Sequence, residues 1–139
     1  MIIVSGCLAG INCRYDGGTK PCEAVQRLVA EGKAIPLCPE QLGGLSTPRL
    51  PAELRGSRVV RKDGGDVTEE FPRGAEEALK LAKLVGGTTA ILKASSPACG
   101  AGKIYDGSFS GALGEGDGVC AALCKQNGIG VKTEEEIRP

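Results

Sequence analysis

Histidine and tryptophan are both absent from this 139-residue chain, and its aromatic side chains number two tyrosines and two phenylalanines. Without imidazole, Ser-His-Asp triads, Cys-His nucleophiles and mixed Cys/His zinc sites are excluded, and no histidine can serve as general base. With only Tyr15, Phe71, Tyr105 and Phe109 to stack on, a base-stacking nucleic-acid surface is not expected. Charge of one sign is lacking too: lysine plus arginine and aspartate plus glutamate number 17 each, so no basic field argues for nucleic acid. No apolar run approaches the roughly 18 residues of a membrane span. The opening Met1-Ile2-Ile3-Val4-Ser5 has neither the charged start nor the long apolar core of a signal peptide, so the expected compartment is the cytoplasm.

What remains abundant is cysteine, with seven residues. In a reducing compartment these are not expected to form a structural disulfide set. Three uses survive: thiolate-only metal or cluster binding, redox thiols, and packing as small buried hydrophobes.

The length predicts one domain over residues 1–139. Ile2 to Val4 reads as a buried strand, followed by a polar loop from Cys7 to Thr19. A helix is predicted from Pro21 at its first position through Val29, stopping at Gly32. Ala34 to Leu37 is a second strand, and its Pro36 favours a sheet edge. From Gln41 to Ala52 no period is visible, which predicts a loop.

Arg58 to Arg61 is predicted to form a hairpin with Asp66-Val67 across Asp63-Gly64-Gly65. Thr68 is the expected N-cap of a helix whose apolar face runs from Phe71 to Val85. Thr88 to Leu92 is the clearest strand. Lys103 to Tyr105 and Ser108 to Ser110 flank Asp106-Gly107 as a second hairpin, with a loop from Gly111 to Gly116. Asp117 is positioned to cap a helix through Cys124, Ile129 to Val131 is a last strand, and Glu134 to Pro139 is expected to fray. Alternating strand and helix predict an α/β fold: a small Rossmann-like parallel sheet of about four strands with flanking helices and one or two short hairpins.

Cys7, Cys38 and Cys99 each follow a predicted strand and sit beside glycine or proline. If those strands are parallel neighbours, their loops open on one sheet edge, where open α/β sheets bind ligands. No CxxC pair is present, so neither a zinc ribbon nor a thioredoxin-type motif is indicated. The wide spacing is compatible with a metal or cluster site assembled from loops, and equally with coincidence. Cys120 and Cys124 fall on a helix's apolar face and are expected to be packing residues. Cys22, at a helix start, is expected to pack, and Cys13 stays open between a fourth ligand, a redox thiol and neither.

Ser5-Gly6-Cys7-Leu8, Cys13-Arg14-Tyr15-Asp16-Gly17, Cys38-Pro39-Glu40 with Gly43-Gly44-Leu45, Pro48-Arg49, Pro51-Ala52-Glu53, and Leu92-Lys93 through Ser96-Pro97 to Cys99-Gly100 resemble the thiouracil-desulfurase family, nearly end to end. That resemblance implies a [4Fe-4S] cluster held by Cys7, Cys38 and Cys99, with the fourth iron open to a thiocarbonyl sulfur. It implies non-redox replacement of sulfur by oxygen in a small thiolated heterocycle such as 2-thiouracil, with Glu40 and Ser95 as the catalytic pair. Asn12, Arg14, Tyr15, Asp16, Arg49 and Glu53 are candidates to line the substrate pocket, or to bond among the loops. The expected partner is a small molecule, with no membrane and no nucleic acid. Two other readings stand beside this one: a cluster-binding or sulfur-carrying module without turnover, and a thiol redox protein using Cys7 and Cys13.

Overall fold

The computed structural model describes residues 1–137. Its centre is a four-stranded parallel sheet in the order β2-β1-β5-β8, built from β1 (Ile2–Ser5), β2 (Ala34–Leu37), β5 (Thr89–Leu92) and β8 (Gly130–Thr133). Ile3 pairs with Ile35 on one side and Ala90 on the other, so β1 and β5 are central, and their buried apolar runs follow from having both faces covered. Pro36 lies on the edge strand β2, where a missing N–H costs no ladder bond, as its sequence predicts.

Helix α1 (Glu23–Ala30) covers one face, packing Val25 against Val4 and Ile91. It starts two residues after Pro21, with Cys22 in extended conformation at the N-cap. On the other face, α3 (Glu70–Leu84) and α4 (Val119–Gln126) close over Ile3, Ala90 and Leu92 with Phe71, Ala75, Ala78, Ala82, Cys120 and Cys124. Cys120 and Cys124 are wholly buried, in keeping with their apolar register.

Several predicted details are corrected. The segment read as a loop from Gln41 holds the end of a one-turn helix, α2 (Pro39–Leu42), too short to show a period. Arg58–Arg61 is β4, but it pairs with β3 (Ala52–Arg55) across a turn at Gly56. The expected partner, Asp66, makes only an isolated bridge to Val60. Thr68 does not cap α3: its hydroxyl accepts the Val59 N–H, which ties the β4 hairpin to the helix instead.

Lys103–Tyr105 (β6) pairs with β7 (Leu113–Glu115), inside the stretch read as a loop, and not with residues 108–110. Those residues are drawn away because the N–H groups of Gly107 and Phe109 donate to the buried Glu53 carboxylate. Asp117 accepts from Gly102 N–H and Lys125, leaving Gly118 as the N-cap of α4. Glu134–Glu136 is an ordered turn closed by a Thr133–Glu136 capping box; the last two positions of the predicted frayed end lie outside the described residues.

Two glycines bring α2 down onto α3. A Cβ at Gly74 would overlap the Pro39 carbonyl, and a Cβ at Gly43 would overlap the Glu70 carbonyl, so the two backbones touch where no side chain fits. The residues just ahead of and inside α2, Cys38 and Glu40, are thereby fixed to the largest helix of the domain core.

Candidate active site

Three chain reversals at the C-terminal edge of the sheet carry the cysteines. Cys7 sits in a 3-10 turn (Gly6–Ala9) directly after β1, with its carbonyl accepting from Gly10 and Lys20. Cys38 is the N-cap of α2, directly after β2. Cys99 lies in the loop after β5, and α4 holds that loop: Val119 N–H donates to Pro97 O, and Cys120 N–H to Ala98 O at 2.8 Å. The orphan amide donors of a helix start are here satisfied by the loop carrying Cys99. Ser96 Oγ completes the turn by accepting from the N–H groups of Ala98 and Cys99, both at 3.1 Å.

The three thiols line one cavity of about 340 Å³. Arg14, Tyr15, Glu40, Arg49 and Glu53 line it with them, so eight of the residues singled out from the sequence meet here. Three do not. Asn12 donates to Gly17 O and serves the loop it belongs to. Asp16 pairs with Arg14 and accepts the Gly18 N–H, which together hold its carboxyl below the usual range. Ser95 lines a neighbouring cavity, which shares Lys93 and Ala94 with the first and is also bordered by Lys20, Cys22 and Glu134. Its backbone is left-handed, with φ of 69°, and it is Ser96 that borders the cysteine cavity.

The site also contains residues that the sequence reading did not select: Ser5, Lys62, Lys93, Ser96, Tyr105 and Phe109. Ser5 ends a strand and Lys93 follows one, so the rule that selected the cysteines would have selected these two as well. Tyr105 and Phe109 arrive through contacts with no local signature. Glu53 Oε1 accepts from Gly107 and Phe109, while Arg55 Nε donates to Gly107 O at 2.7 Å and its guanidinium covers the Phe109 ring. Glu53 thus holds the wall of the cavity in place.

Electrostatics distinguish the thiols. Cys38 is pushed down to about 6, chiefly by a hydrogen bond from the Cys13 thiol and further by the Gln41 backbone N–H. Cys7 is lowered by the same Cys13 thiol, with the Lys93 and Arg14 charges adding to the effect. Cys13, 2% exposed, is raised because it is the donor to both. Burial pushes Cys99 up, opposed by a hydrogen bond from Ser5.

Glu40 is 17% exposed and accepts from Arg49 Nε at 3.1 Å. The rest of the Arg49 guanidinium holds the surrounding loops: Nη2 donates to Cys13 O at 2.9 Å, and Nη1 to Ser46 O and Thr47 Oγ1, both at 3.0 Å. One buried arginine therefore ties the carboxylate, the Cys13 turn and the loop after α2 together.

Among the described residues, no three His, Cys, Asp or Glu side chains are set for a single metal ion. A polynuclear cluster asks for another arrangement, in which each thiolate takes a different corner and the sulfurs surround a cavity rather than a point. Three cysteines around one cavity, with no histidine among the donors, fit that requirement.

The family profile described as 2-thiouracil desulfurase matches residues 2–136. The chain belongs to the 2-thiouracil desulfurase family. A solved structure described as the [4Fe-4S]-dependent thiouracil desulfidase TudS superposes with a TM-score of 0.93 at 48% identity, covering 98% of this chain and 91% of that one. A relative from Bacillus subtilis (strain 168), "Uncharacterized protein YbbK", is 47% identical over 147 residues, covering 99% of this chain and 97% of its own length. The parallel α/β sheet with short hairpins, expected from the sequence, is thus shared with a desulfidase of this family.

Proposed function

We propose that this chain, as one desulfurase-like domain, replaces the thiocarbonyl sulfur of a small heterocycle such as 2-thiouracil by oxygen. It would do so with a [4Fe-4S] cluster held by Cys7, Cys38 and Cys99. The carrying observation is that these three thiols, each from a different strand end, line one cavity with Glu40. When bound, such a cluster with one iron free of protein ligands supplies a soft Lewis acid matched to a soft sulfur. Water enters and hydrogen sulfide leaves, so the reaction is a hydrolysis without net oxidation or reduction.

The protein's own groups do the rest. Glu40, which accepts from Arg49 Nε, takes the proton from the incoming water in this reading. Arg14 and Tyr15 border the same cavity, one offering in-plane donors and the other an aromatic face to a planar ring. Tyr105 and Phe109 add apolar wall that limits the access of bulk water. Ser95, kept as the partner of Glu40, lines the adjoining cavity that shares Lys93 and Ala94 with the cysteine cavity, so its proton exchange with a ring nitrogen requires a substrate edge that reaches past those two residues. The partner is a small molecule, and among the described residues no helix is long and apolar enough to cross a membrane.

Anaerobic reconstitution with iron and sulfide, followed by incubation with 2-thiouracil, tests the reading. The expected result is a brown protein releasing uracil and sulfide in equal amounts. Changing Cys7, Cys38 or Cys99 to Ala removes the cluster, while Cys124→Ala keeps it. A protein that retains no iron overturns the assignment. A stable cluster with no turnover of any thiolated base favours a sulfur-delivery module instead.

A further inference from the structure

We infer that Ser5 is a positioning residue for the iron site: its hydroxyl donates a hydrogen bond to the Cys99 sulfur and makes that ligand electronically different from Cys7 and Cys38. The inference rests on the reading of Cys99 as a cluster ligand. Ser5 closes β1 and is 2% exposed, while Cys99 is 5% exposed, so water does not compete for either group. Ser5 Oγ lies 3.2 Å from Cys99 Sγ.

A second contact anchors the hydroxyl. Lys93 N–H, just past β5, donates to Ser5 Oγ at 2.9 Å. That bond uses one lone pair and leaves the hydroxyl proton free for the sulfur. Once a ligand sulfur has lost its own proton it can only accept, which leaves Ser5 as the donor. One hydroxyl therefore joins the ends of the two central strands to the loop carrying Cys99.

Among the described residues no hydroxyl bonds the sulfur of Cys7 or Cys38. Those two share the Cys13 thiol, a weaker donor than a hydroxyl, and Cys38 also takes the Gln41 backbone N–H. Hydrogen bonds to ligand sulfurs are among the determinants of iron-sulfur reduction potential, and in a dry site they are strengthened by the low local dielectric. Drawing electron density from one thiolate leaves the irons better acceptors toward a further sulfur donor. It also makes the cluster easier to reduce. Partners that orient a metal ligand are typically worth about 10- to 100-fold in metal retention.

The test compares reconstituted wild type with Ser5→Ala and Ser5→Cys. Reduction potentials come from EPR-monitored titration, and iron loss is followed with a ferrous chelator. Ser5→Ala should shift the potential to a more negative value and lose iron about 10- to 100-fold faster. Ser5→Cys, whose thiol is a weak donor, should fall between. Equal potentials in all three proteins, with cluster content intact, overturn the Ser5 assignment and leave the desulfurase reading standing. A wild-type protein that holds no cluster overturns both. A loss of thermal stability in Ser5→Ala without any change in potential marks the hydroxyl as a structural tie only and rejects the inference.

Discussion

Arg49 and Glu40 form an ion pair of 3.1 Å with side chains 8% and 17% exposed, in the lining of a cavity that Cys7, Cys38 and Cys99 also line. Burial of this kind makes the pair an orienting device: removing one partner leaves the other charge without compensation.

Arg49→Ala therefore has two expected effects. Loss of a mostly buried pair, together with the bonds to Cys13 O and Ser46 O, should destabilise the fold by about 3 kcal/mol. A displaced Glu40 should lower turnover by about 100-fold. Arg49→Lys keeps a charge but not the planar fork, so it should recover stability more than turnover. Denaturant unfolding and single-turnover uracil release separate the two. Wild-type turnover in Arg49→Ala would remove Glu40 positioning from the account.

The glycine contact between α2 and α3 gives a second expectation. In Gly74→Ala the new methyl group must displace the Pro39 carbonyl, and Cys38 and Glu40 move with α2. Overpacking of this sort costs about 1 to 3 kcal/mol, which lowers Tm by several degrees. Cluster content per chain should fall as well. Gly114→Ala is the matched control, since its nearest neighbour is the Asp106 Cβ at an ordinary 3.6 Å, and it should be near neutral. Equal cluster content in the two variants would show that α2 tolerates the shift.

How much of this was legible beforehand follows from the range of each interaction. The parallel sheet and the strand-end cysteines were readable because apolar runs such as Thr89–Leu92 stop at polar or glycine-rich segments, a signal contained within a few residues. Pro36 even indicated the edge. The Asp106-Gly107 turn signal was overridden by Glu53, more than 50 positions earlier, whose carboxylate takes the Gly107 and Phe109 amides. Ser5 and Lys93 stand at the same strand ends as the cysteines and were passed over because the strand-end rule was applied to thiols alone. The left-handed Ser95 breaks the alternation that would have placed Ser95 and Ser96, and no neighbouring residue announces it.

The thiols themselves give a pH expectation in the cluster-free protein. Cys38 is lowered to about 6 from an ordinary 9.0, mainly by the Cys13 thiol, so thiolate is the form expected at neutral pH. Alkylation proceeds through the thiolate. The rate at Cys38 should be near its plateau at pH 7 and fall to half as the pH drops through about 6. Cys99, raised by burial, should label well after Cys38. Cys13→Ala removes the donor and should move the Cys38 inflection upward. Peptide mapping after short iodoacetamide pulses reads each site separately, and an inflection near 9 in the unaltered protein would refute the Cys13 hydrogen bond.

Ser95 and Ser96 lie side by side in sequence but border different cavities, and substitution can assign their roles separately. Ser96 Oγ accepts two backbone N–H groups in the turn that carries Cys99, so Ser96→Ala loosens the ligand loop. Its expected signature is faster iron loss with turnover falling in proportion to the cluster that remains. Ser95 forms an isolated bridge with Ile104, and its φ of 69° lies where a residue other than glycine is strained. Such strain persists only where the surroundings impose it. Ser95→Ala should therefore retain full cluster content and spectrum while turnover per cluster drops by about 100-fold or more, in the range typical of a lost proton-transfer group. Ser95→Gly relieves the backbone without restoring the hydroxyl and should be more stable but equally inactive. If turnover per cluster survives in Ser95→Ala and fails in Ser96→Ala, the proton-handling serine is the one facing the cysteine cavity.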